Sequence, residues 1–403
     1  MEQQKEAHVV IVGGGFAGVA AAKRLKTTKN SKITLITQKP FFEYYPALYK
    51  LVTGALAVEV CIPYEAIFRK QQNISVVFGE YQSYDPTAKV VVLQDGSTYA
   101  YDYLILAMGS ETNYFTIPGI AEHAFSFKSA QEALALRDHF RDLLQESKNI
   151  AHDELVKRFG VTVVGGGPSG VELAGDIVTY LRAMTRRYHI DPGYVAVDLI
   201  ESNPRVLAML PEAVSQKAEQ RLRNLGVNIY TNRRLQAQDF DEVVASGMTL
   251  QSGTVIWTAG TKIHTSFNGL PLDARNRVVV TNHFRLSEDS SVFVVGDGAS
   301  MPGTGLAQGA IAHGTYVGMF IRNQLRSKIT PPYRAKKTAS LIPIGHNWAI
   351  LSYGKITIKG FFPWMLRSLV DFHYFTTIVS LRYVIGAFIQ GAKYRRDGVR
   401  FYD

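Results

Sequence analysis

His8-Val9-Val10-Ile11-Val12-Gly13-Gly14-Gly15-Phe16-Ala17-Gly18 decides the fold of this chain. The β-branched run predicts a buried strand, the glycines a tight turn, and Val19-Ala20-Ala21-Ala22-Lys23-Arg24-Leu25 a helix leaving that turn. Ile33-Thr34-Leu35-Ile36 follows as a second strand, which completes a βαβ unit. The same design returns at Val161-Thr162-Val163-Val164-Gly165-Gly166-Gly167-Pro168-Ser169-Gly170, with a helix from Val171 and a strand over 195–200. The chain therefore carries an internal duplication.

Glycines after a strand are often only a turn, but here both copies follow a strand and open a helix, as a phosphate site requires. Gly13 and Gly165 permit the tight turn, Gly15 and Gly167 let backbone N–H groups approach a pyrophosphate, and Gly18 and Gly170 let helix and strand pack closely. Two such sites imply two dinucleotides. Glu201, directly after Leu199-Ile200, stands where an acid accepts hydrogen bonds from an adenosine ribose and repels a 2′-phosphate. The second ligand is then NAD(H) rather than NADP(H), with Arg205 nearby as the one cation arguing the other way. In the first unit Thr37 takes the place of that acid, so ribose binding is weaker there or shared with Gln38 and Lys39. Asp297, in Val294-Val295-Gly296-Asp297-Gly298, ends another strand, where its carboxylate either meets the ribityl chain of a flavin or caps a helix.

Length and composition agree with a large folded cofactor protein: 403 residues, 46% hydrophobic, 19% charged and 34 glycines. A single cysteine, Cys61, excludes an intrachain disulfide, a dithiol redox pair and a four-thiolate metal site, and no metal is expected. The formal net charge of +10 raises nucleic acid, an anionic membrane or a phosphorylated ligand as partners. No basic cluster interleaves with a stacking platform, which argues against nucleic acid. The polar, charged opening Met1-Glu2-Gln3-Gln4-Lys5-Glu6 reads as cytosolic, and no window is apolar enough for a spanning helix.

Between the glycine units, Ile74 to Phe78 and Val90 to Leu93 read as a strand pair, and Tyr103 to Ala107 as a strand ending at Gly109. These motifs together with Asn113-Tyr114-Phe115-Thr116-Ile117-Pro118-Gly119-Ile120, Lys128-Ser129, Trp257-Thr258-Ala259-Gly260, Val295-Gly296-Asp297-Gly298, Pro168-Ser169-Gly170-Val171-Glu172 and Leu306-Ala307-Gln308 resemble the two-dinucleotide-binding-domain flavoproteins. Within them the chain is most similar to the type II NADH dehydrogenases, single-chain NADH:quinone oxidoreductases, over nearly its whole length. The resemblance implies an α/β fold with two Rossmann-like domains for non-covalent FAD and NADH, and a C-terminal membrane-associating region. It places FAD binding in 1–155 and 276–330, NADH binding in 156–275 and a membrane-surface or dimerisation region in 331–403. It implies electron delivery from NADH through FAD to a membrane quinone without proton pumping, in a homodimer on the cytoplasmic face of the cell membrane.

Two residues carry the chemistry by this resemblance. Glu172, expected on the first turn of its helix, would lie by the nicotinamide and quinone, the plainer reading being an acid placed favourably at a helix N-terminus. Gln308 matches the Ala-Gln quinone motif, its amide able to bond a quinone carbonyl, although the glutamine the family usually has one turn on is replaced by Ala312-His313. His313 is a candidate proton donor or a merely structural histidine, and Lys50 and Tyr45-Pro46 are weaker candidates near the flavin.

The C-terminus offers a separate argument. On one helical wheel Met365, Leu369, Phe372, Thr376, Val379 and Tyr383 form a stripe, with Arg367, Asp371 and Arg382 opposite. Such a helix packs on its own domain, on a dimer partner or on lipid. The aromatic residues Phe361, Phe362, Trp364, Phe372, Tyr374 and Phe375 and the basic tail Lys393, Arg395, Arg396 and Arg400 favour an anionic membrane surface. A soluble NADH oxidase, a ferredoxin reductase or a non-enzymatic NADH-responsive flavoprotein are the competing functions.

Overall fold

The computed structural model describes residues 6–147 and 150–396, with side chains as far as Gly391. It divides into two compact units. The first takes the chain up to Glu43, Cys61–Glu111 and Thr261–Lys336, and the second takes Tyr44–Val60, Thr112–Gly260 and the chain from Lys337 onward.

In the first unit a five-stranded parallel sheet runs Val292–Val294, Tyr103–Leu106, Ala7–Val12, Ser31–Thr37 and Ile74–Phe78 across its width. Val9, Val10 and Ile11 are all wholly buried, because the strand is covered on both faces; hence its continuous rather than alternating apolar run. The next strand in sequence lies on one side of Ala7–Val12 and Tyr103–Leu106 on the other. That makes the crevice beyond Val12 a switch point of strand order, where open α/β sheets bind ligands. Helix Phe16–Leu25 leaves the turn and packs against helix Ala307–Gln324. A Cβ on Gly314 would stand 2.0 Å from the carbonyl oxygen of Ala17, so the two helices meet at a spacing that only glycine allows.

The second unit repeats the plan with Phe125–Ser126, Thr254–Trp257, Gly160–Val164, Ala196–Ile200 and Val227–Tyr230, again all parallel and with strand order reversing about Gly160–Val164. The duplication goes deeper than the glycine turns. Each unit also carries a three-stranded antiparallel sheet just before the strand that completes the far side: Tyr81–Asp85, Val90–Leu93 and Thr98–Ala100 in the first, Leu235–Asp239, Glu242–Ala245 and Met248–Gln251 in the second. The pair expected between Ile74–Phe78 and Val90–Leu93 does not form. Ile74–Phe78 joins the parallel sheet instead, and Val90–Leu93 pairs within the antiparallel one.

The units divide after residues 111 and 260, whereas the sequence places boundaries after 155 and 275. Residues 112–155 go with the second unit because Phe125–Ser126 adds to its sheet beside Thr254–Trp257. The chain from Lys337 also belongs to that unit rather than standing alone. It forms an antiparallel sheet, Ser340–Pro343, Ala349–Tyr353 and Ile356–Gly360, and then two helices, Phe361–Ile378 and Leu381–Arg396.

Two helices replace the single stripe expected over 365–383. The first stops at Ile378, since Val379 takes extended backbone with φ −129° and ψ 173°, and Val379 itself is buried. Exposed apolar side chains run along Phe361, Phe362, Met365 and Leu369 and resume at Leu381, Ile385 and Ile389. Phe375 is buried, Tyr374 stacks on Tyr44 and Phe372 packs on Phe388, so these aromatics serve the protein interior. Arg367 and Asp371, expected on a polar outer side, are turned inward, Asp371 being 2% exposed. Of the basic tail, the side chains of Lys393, Arg395 and Arg396, and the whole of Arg400, lie outside the described residues. Among the described residues no helix is long and apolar enough to cross a membrane.

Candidate dinucleotide sites and a carboxylate cluster

The two glycine turns share one geometry. Gly13 and Gly165 have φ of +106° and +115°, and a Cβ there would strike Ala107 O at 2.3 Å or Ala259 N at 2.9 Å. A Cβ on Gly18 or Gly170 would stand 1.9 Å from the carbonyl oxygen of Gly13 or Gly165 respectively. Between them, a Cβ on Gly15 or Gly167 would meet nothing within 4 Å. Each turn is thus closed toward the protein and open on the side where a pyrophosphate approaches. Gly15 and Gly167 are also the N-caps of the following helices, and neither cap position makes a side-chain hydrogen bond to the helix end. The first-turn N–H groups of each helix are thereby left for an anion.

Glu201 lies at the second unit's switch point. Its Oε2 accepts from Gly166 N at 2.6 Å and its Oε1 from Asn203 N at 2.7 Å, which fixes the carboxylate against the turn. Arg205 donates to the carbonyls of Leu210 at 2.9 Å and Ala208 at 2.8 Å and to the Ser215 hydroxyl. The cation that argued for a 2′-phosphate is therefore engaged within its own loop. In the first unit Thr37, at the end of its strand, is buried beside Gly14 and Tyr64.

Asp297 does not cap a helix. It sits in a short turn, Gly296–Gly298, where its carboxylate accepts from Ser110 Oγ at 2.6 Å and Gly305 N at 3.2 Å, while the next helix starts only at Ala307. Gly109, just before Ser110, has φ +75°, and a Cβ on it would meet no atom within 4 Å, another open backbone position in this unit. Gln308 is exposed in the first turn of helix Ala307–Gln324. His313 is wholly buried in the same helix, its Nε2 donating to Pro302 O at 3.0 Å, and burial lowers its pKa. That favours the structural reading: a neutral ring that pins the loop before the helix.

Glu172 is the fifth residue of helix Pro168–Arg187, in its second turn rather than its first. Asp176 follows one turn later on the same face. Both are deeply set though partly accessible. Burial pushes Glu172 up to about 8, with Arg367 pulling it down and the charges of Asp176 and Asp371 pushing it further up. Burial likewise pushes Asp176 up to about 7 against the opposing pull of Lys50 and the Gly345 amide. A helix-end placement would instead favour the ionised acid, so that reading of Glu172 falls. Gly175 admits the Gly345 backbone to this face, for a Cβ on it would stand 2.9 Å from Gly345 N.

Helix Phe361–Ile378 supplies the rest of the cluster. Arg367 Nε donates to Asp371 Oδ1 at 3.0 Å, and its Nη1 and Nη2 reach the carbonyls of Leu341 and Pro46 at 2.9 and 2.7 Å. Burial disfavours the Arg367 charge, but Asp371 and Glu172 outweigh it and raise its pKa. Tyr44 donates to Asp371 Oδ1 at 2.7 Å and Lys50 Nζ lies 3.2 Å from Oδ2. Three carboxyls, Glu172, Asp176 and Asp371, face two cations, Arg367 and Lys50. Asp371 is met by both cations and a phenol, whereas burial raises both Glu172 and Asp176 well above the ordinary carboxylate range.

The pattern of the pyridine nucleotide-disulphide oxidoreductase family matches residues 7–314. The type II NADH:quinone oxidoreductase NdhA of Mycobacterium tuberculosis is 30% identical over 381 residues, covering 89% of this chain and 81% of the relative. The type II enzyme Ndh of the same organism is 31% identical over 390 residues, covering 91% and 84%. The chain belongs to the type II NADH:quinone oxidoreductases. The fold agrees: the structure of NDH2 from Plasmodium falciparum in complex with NADH matches with a TM-score of 0.86 at 19% identity, covering 97% of this chain and 98% of that one. Of the residues that the sequence singles out for the sites of a type II NADH:quinone oxidoreductase, Gly13, Gly15, Gly18, Thr37, Gly109, Asp297 and Gln308 lie in the first unit and Gly165, Gly167, Gly170, Glu172 and Glu201 in the second. Sequence reasoning missed Asp176, Tyr44, Arg367 and Asp371 as partners of Glu172 and Lys50. The available signal was the four-residue spacing of Glu172 with Asp176 and of Arg367 with Asp371.

Proposed function

We propose that the first unit holds FAD and the second NADH, and that the chain passes electrons from NADH through FAD to a membrane quinone without pumping protons. The net reaction is NADH + H⁺ + quinone → NAD⁺ + quinol. The observation that supports this most is the duplicated turn, closed at Gly13 and Gly165 and open at Gly15 and Gly167, in a chain of this family. FAD, when bound, supplies a carrier that accepts hydride and returns electrons to quinone. The protein's own part is to orient and to manage protons. Asp297 and Gly109 line the flavin side of the first unit, Glu201 takes the NADH ribose, and the Gln308 amide bonds a quinone oxygen. Glu172 and Asp176, both raised by burial, are the groups placed to hold a proton for the reaction.

The exposed residues Phe361, Phe362, Met365, Leu369, Leu381, Ile385 and Ile389 support a monotopic seat on a membrane surface, which we propose is anionic and cytoplasmic and is occupied by a homodimer. Steady-state NADH oxidation with a menaquinone and with a ubiquinone analogue tests the function. Turnover should depend on quinone, and Gln308→Ala should weaken it while leaving the flavin spectrum intact; unchanged quinone kinetics would move the quinone site elsewhere.

A further inference from the structure

Glu201 stands at the second unit's switch point with most of its hydrogen-bonding capacity already spent. An ionised carboxylate has two oxygens and about four lone-pair sites. Among the described residues the donor on Oε2 is Gly166 N, at 2.6 Å. Oε1 accepts from Asn203 N at 2.7 Å and from the Asn203 side-chain Nδ2 at 2.6 Å, and the Ser202 hydroxyl is turned to it at 3.2 Å. Asn203 by itself therefore fills both lone-pair sites of Oε1. Glu201 keeps one acceptor place, on Oε2, whereas an adenosine ribose brings two neighbouring hydroxyls.

The surrounding backbone holds this arrangement in place. Glu201 is buried and packed on the glycine turn, where a Cβ on Gly166 would meet its Oε2 at 2.9 Å and its Cβ and Cγ at 3.0 Å. The chain leaving strand Val227–Tyr230 grips both residues from the other side, Asn232 N donating to Asn203 O at 3.0 Å and Arg233 N to Glu201 O at 2.9 Å. Pro204 restricts Asn203 to extended backbone. The Asn203 amide can meet Oε1 only through its NH2, because its own carbonyl oxygen would be repelled by the carboxylate.

We propose that Asn203 is a specificity-determining residue that leaves Glu201 a single acceptor place, so that the carboxylate reads one of the two adenosine-ribose hydroxyls of NADH and not the pair. This rests on the placement of NADH in the second unit. Asn203 acts at the adenosine end of the dinucleotide, while hydride leaves from the nicotinamide end. Its effect therefore falls on KM and not on kcat.

Steady-state turnover of the flavin-loaded enzyme at saturating quinone, with NADH and with its 2′-deoxyadenosine and 3′-deoxyadenosine analogues, tests this. In the wild type one analogue should show a KM about tenfold higher, the size of one hydrogen bond to a carboxylate, and the other a KM within about twofold of that for NADH, with kcat unchanged. Asn203→Ala, and Ser202→Ala combined with Asn203→Ala to remove both side-chain donors, should free Oε1. KM for NADH should then fall, and the analogue that the wild type tolerated should lag behind NADH by about fivefold or more. Equal weakening of both analogues in the wild type, or variants that raise KM for all three nucleotides alike or keep the wild-type ranking, would overturn the single acceptor place while leaving the ribose on Glu201. A wild type to which neither hydroxyl matters would overturn the placement of the ribose at Glu201 itself.

Discussion

Lys50 Nζ lies 3.2 Å from Oδ2 of Asp371, a residue 321 positions further along the chain. With Tyr44 and Arg367 on the other oxygen, the contact ties the segment Tyr44–Val60 to helix Phe361–Ile378, whose opposite side carries the exposed apolar residues. The inward side of that helix sets Arg367 and Asp371 among the buried Pro363, Phe375 and Ile378, while its outward side exposes Phe361, Phe362, Met365 and Leu369, an apolar outer face suited to a lipid boundary.

Asp371→Leu alone should destabilise the second unit by about 3–5 kcal/mol, because it leaves the buried Arg367 without its carboxylate partner. The double change Arg367→Met with Asp371→Leu should recover most of that loss. Chemical denaturation of the four proteins in a mutant cycle checks this. Additive losses would show that the pair is not coupled.

The Glu172–Asp176 pair predicts two pH effects. Its pKa values are raised on folding to about 8 and about 7, so the native state binds more protons than the unfolded chain above the ordinary carboxylate range. The stabilisation is full at pH values below about 4, the unfolded range of such groups, and is lost as pH rises toward 8. Asp176→Asn should therefore flatten the fall in stability between pH 5 and 8.5, by on the order of 1 kcal/mol after allowance for partial exposure. Quinone turnover should decline as the two carboxyls deprotonate, and the alkaline limb of the turnover profile should move in Asp176→Asn. A profile identical in the variant would remove Asp176 from proton handling.

Local chemistry explains what was readable in the sequence. The β-branched runs before Gly13 and Gly165, and the positive φ those glycines adopt, are set within a few residues, so both βαβ units and their switch-point sites were legible. Asp176, Arg367 and Asp371 were not, because their meeting depends on helices some two hundred residues apart in the chain. Helical periodicity correctly placed Arg367 and Asp371 opposite Met365 and Leu369. It could not say which face turned inward, and the usual preference for buried apolar residues pointed the wrong way.

NADH should be preferred to NADPH by about 1–3 kcal/mol in catalytic efficiency, since Glu201 faces the extra phosphate with like charge and Arg205 is held by its own loop. Glu201→Gln should narrow that preference, and it should also loosen Gly166 by removing a charge-assisted bond of 2.6 Å. Comparison of kcat/KM for the two nucleotides decides the point. Equal efficiency in the wild type would contradict the placement.

Replacing Phe361, Phe362 and Leu369 together by Ser should lower flotation with anionic liposomes several-fold without changing flavin content, because these side chains are exposed and contribute nothing to the buried cluster. Flotation of the wild type should fall with added salt. Loss of a dimer in the triple variant with no change in flotation would assign the face to the partner subunit instead.

The central claim is that electrons pass from NADH to quinone through flavin held in this chain. Anaerobic stopped-flow absorbance of the purified yellow protein tests it most directly. Mixing with NADH should bleach the flavin rapidly, and a second mixing with a menaquinone or ubiquinone analogue should restore it at least as fast as steady-state turnover. Flavin that NADH does not reduce, or reduced flavin that quinone leaves bleached on the timescale of turnover, would contradict the account.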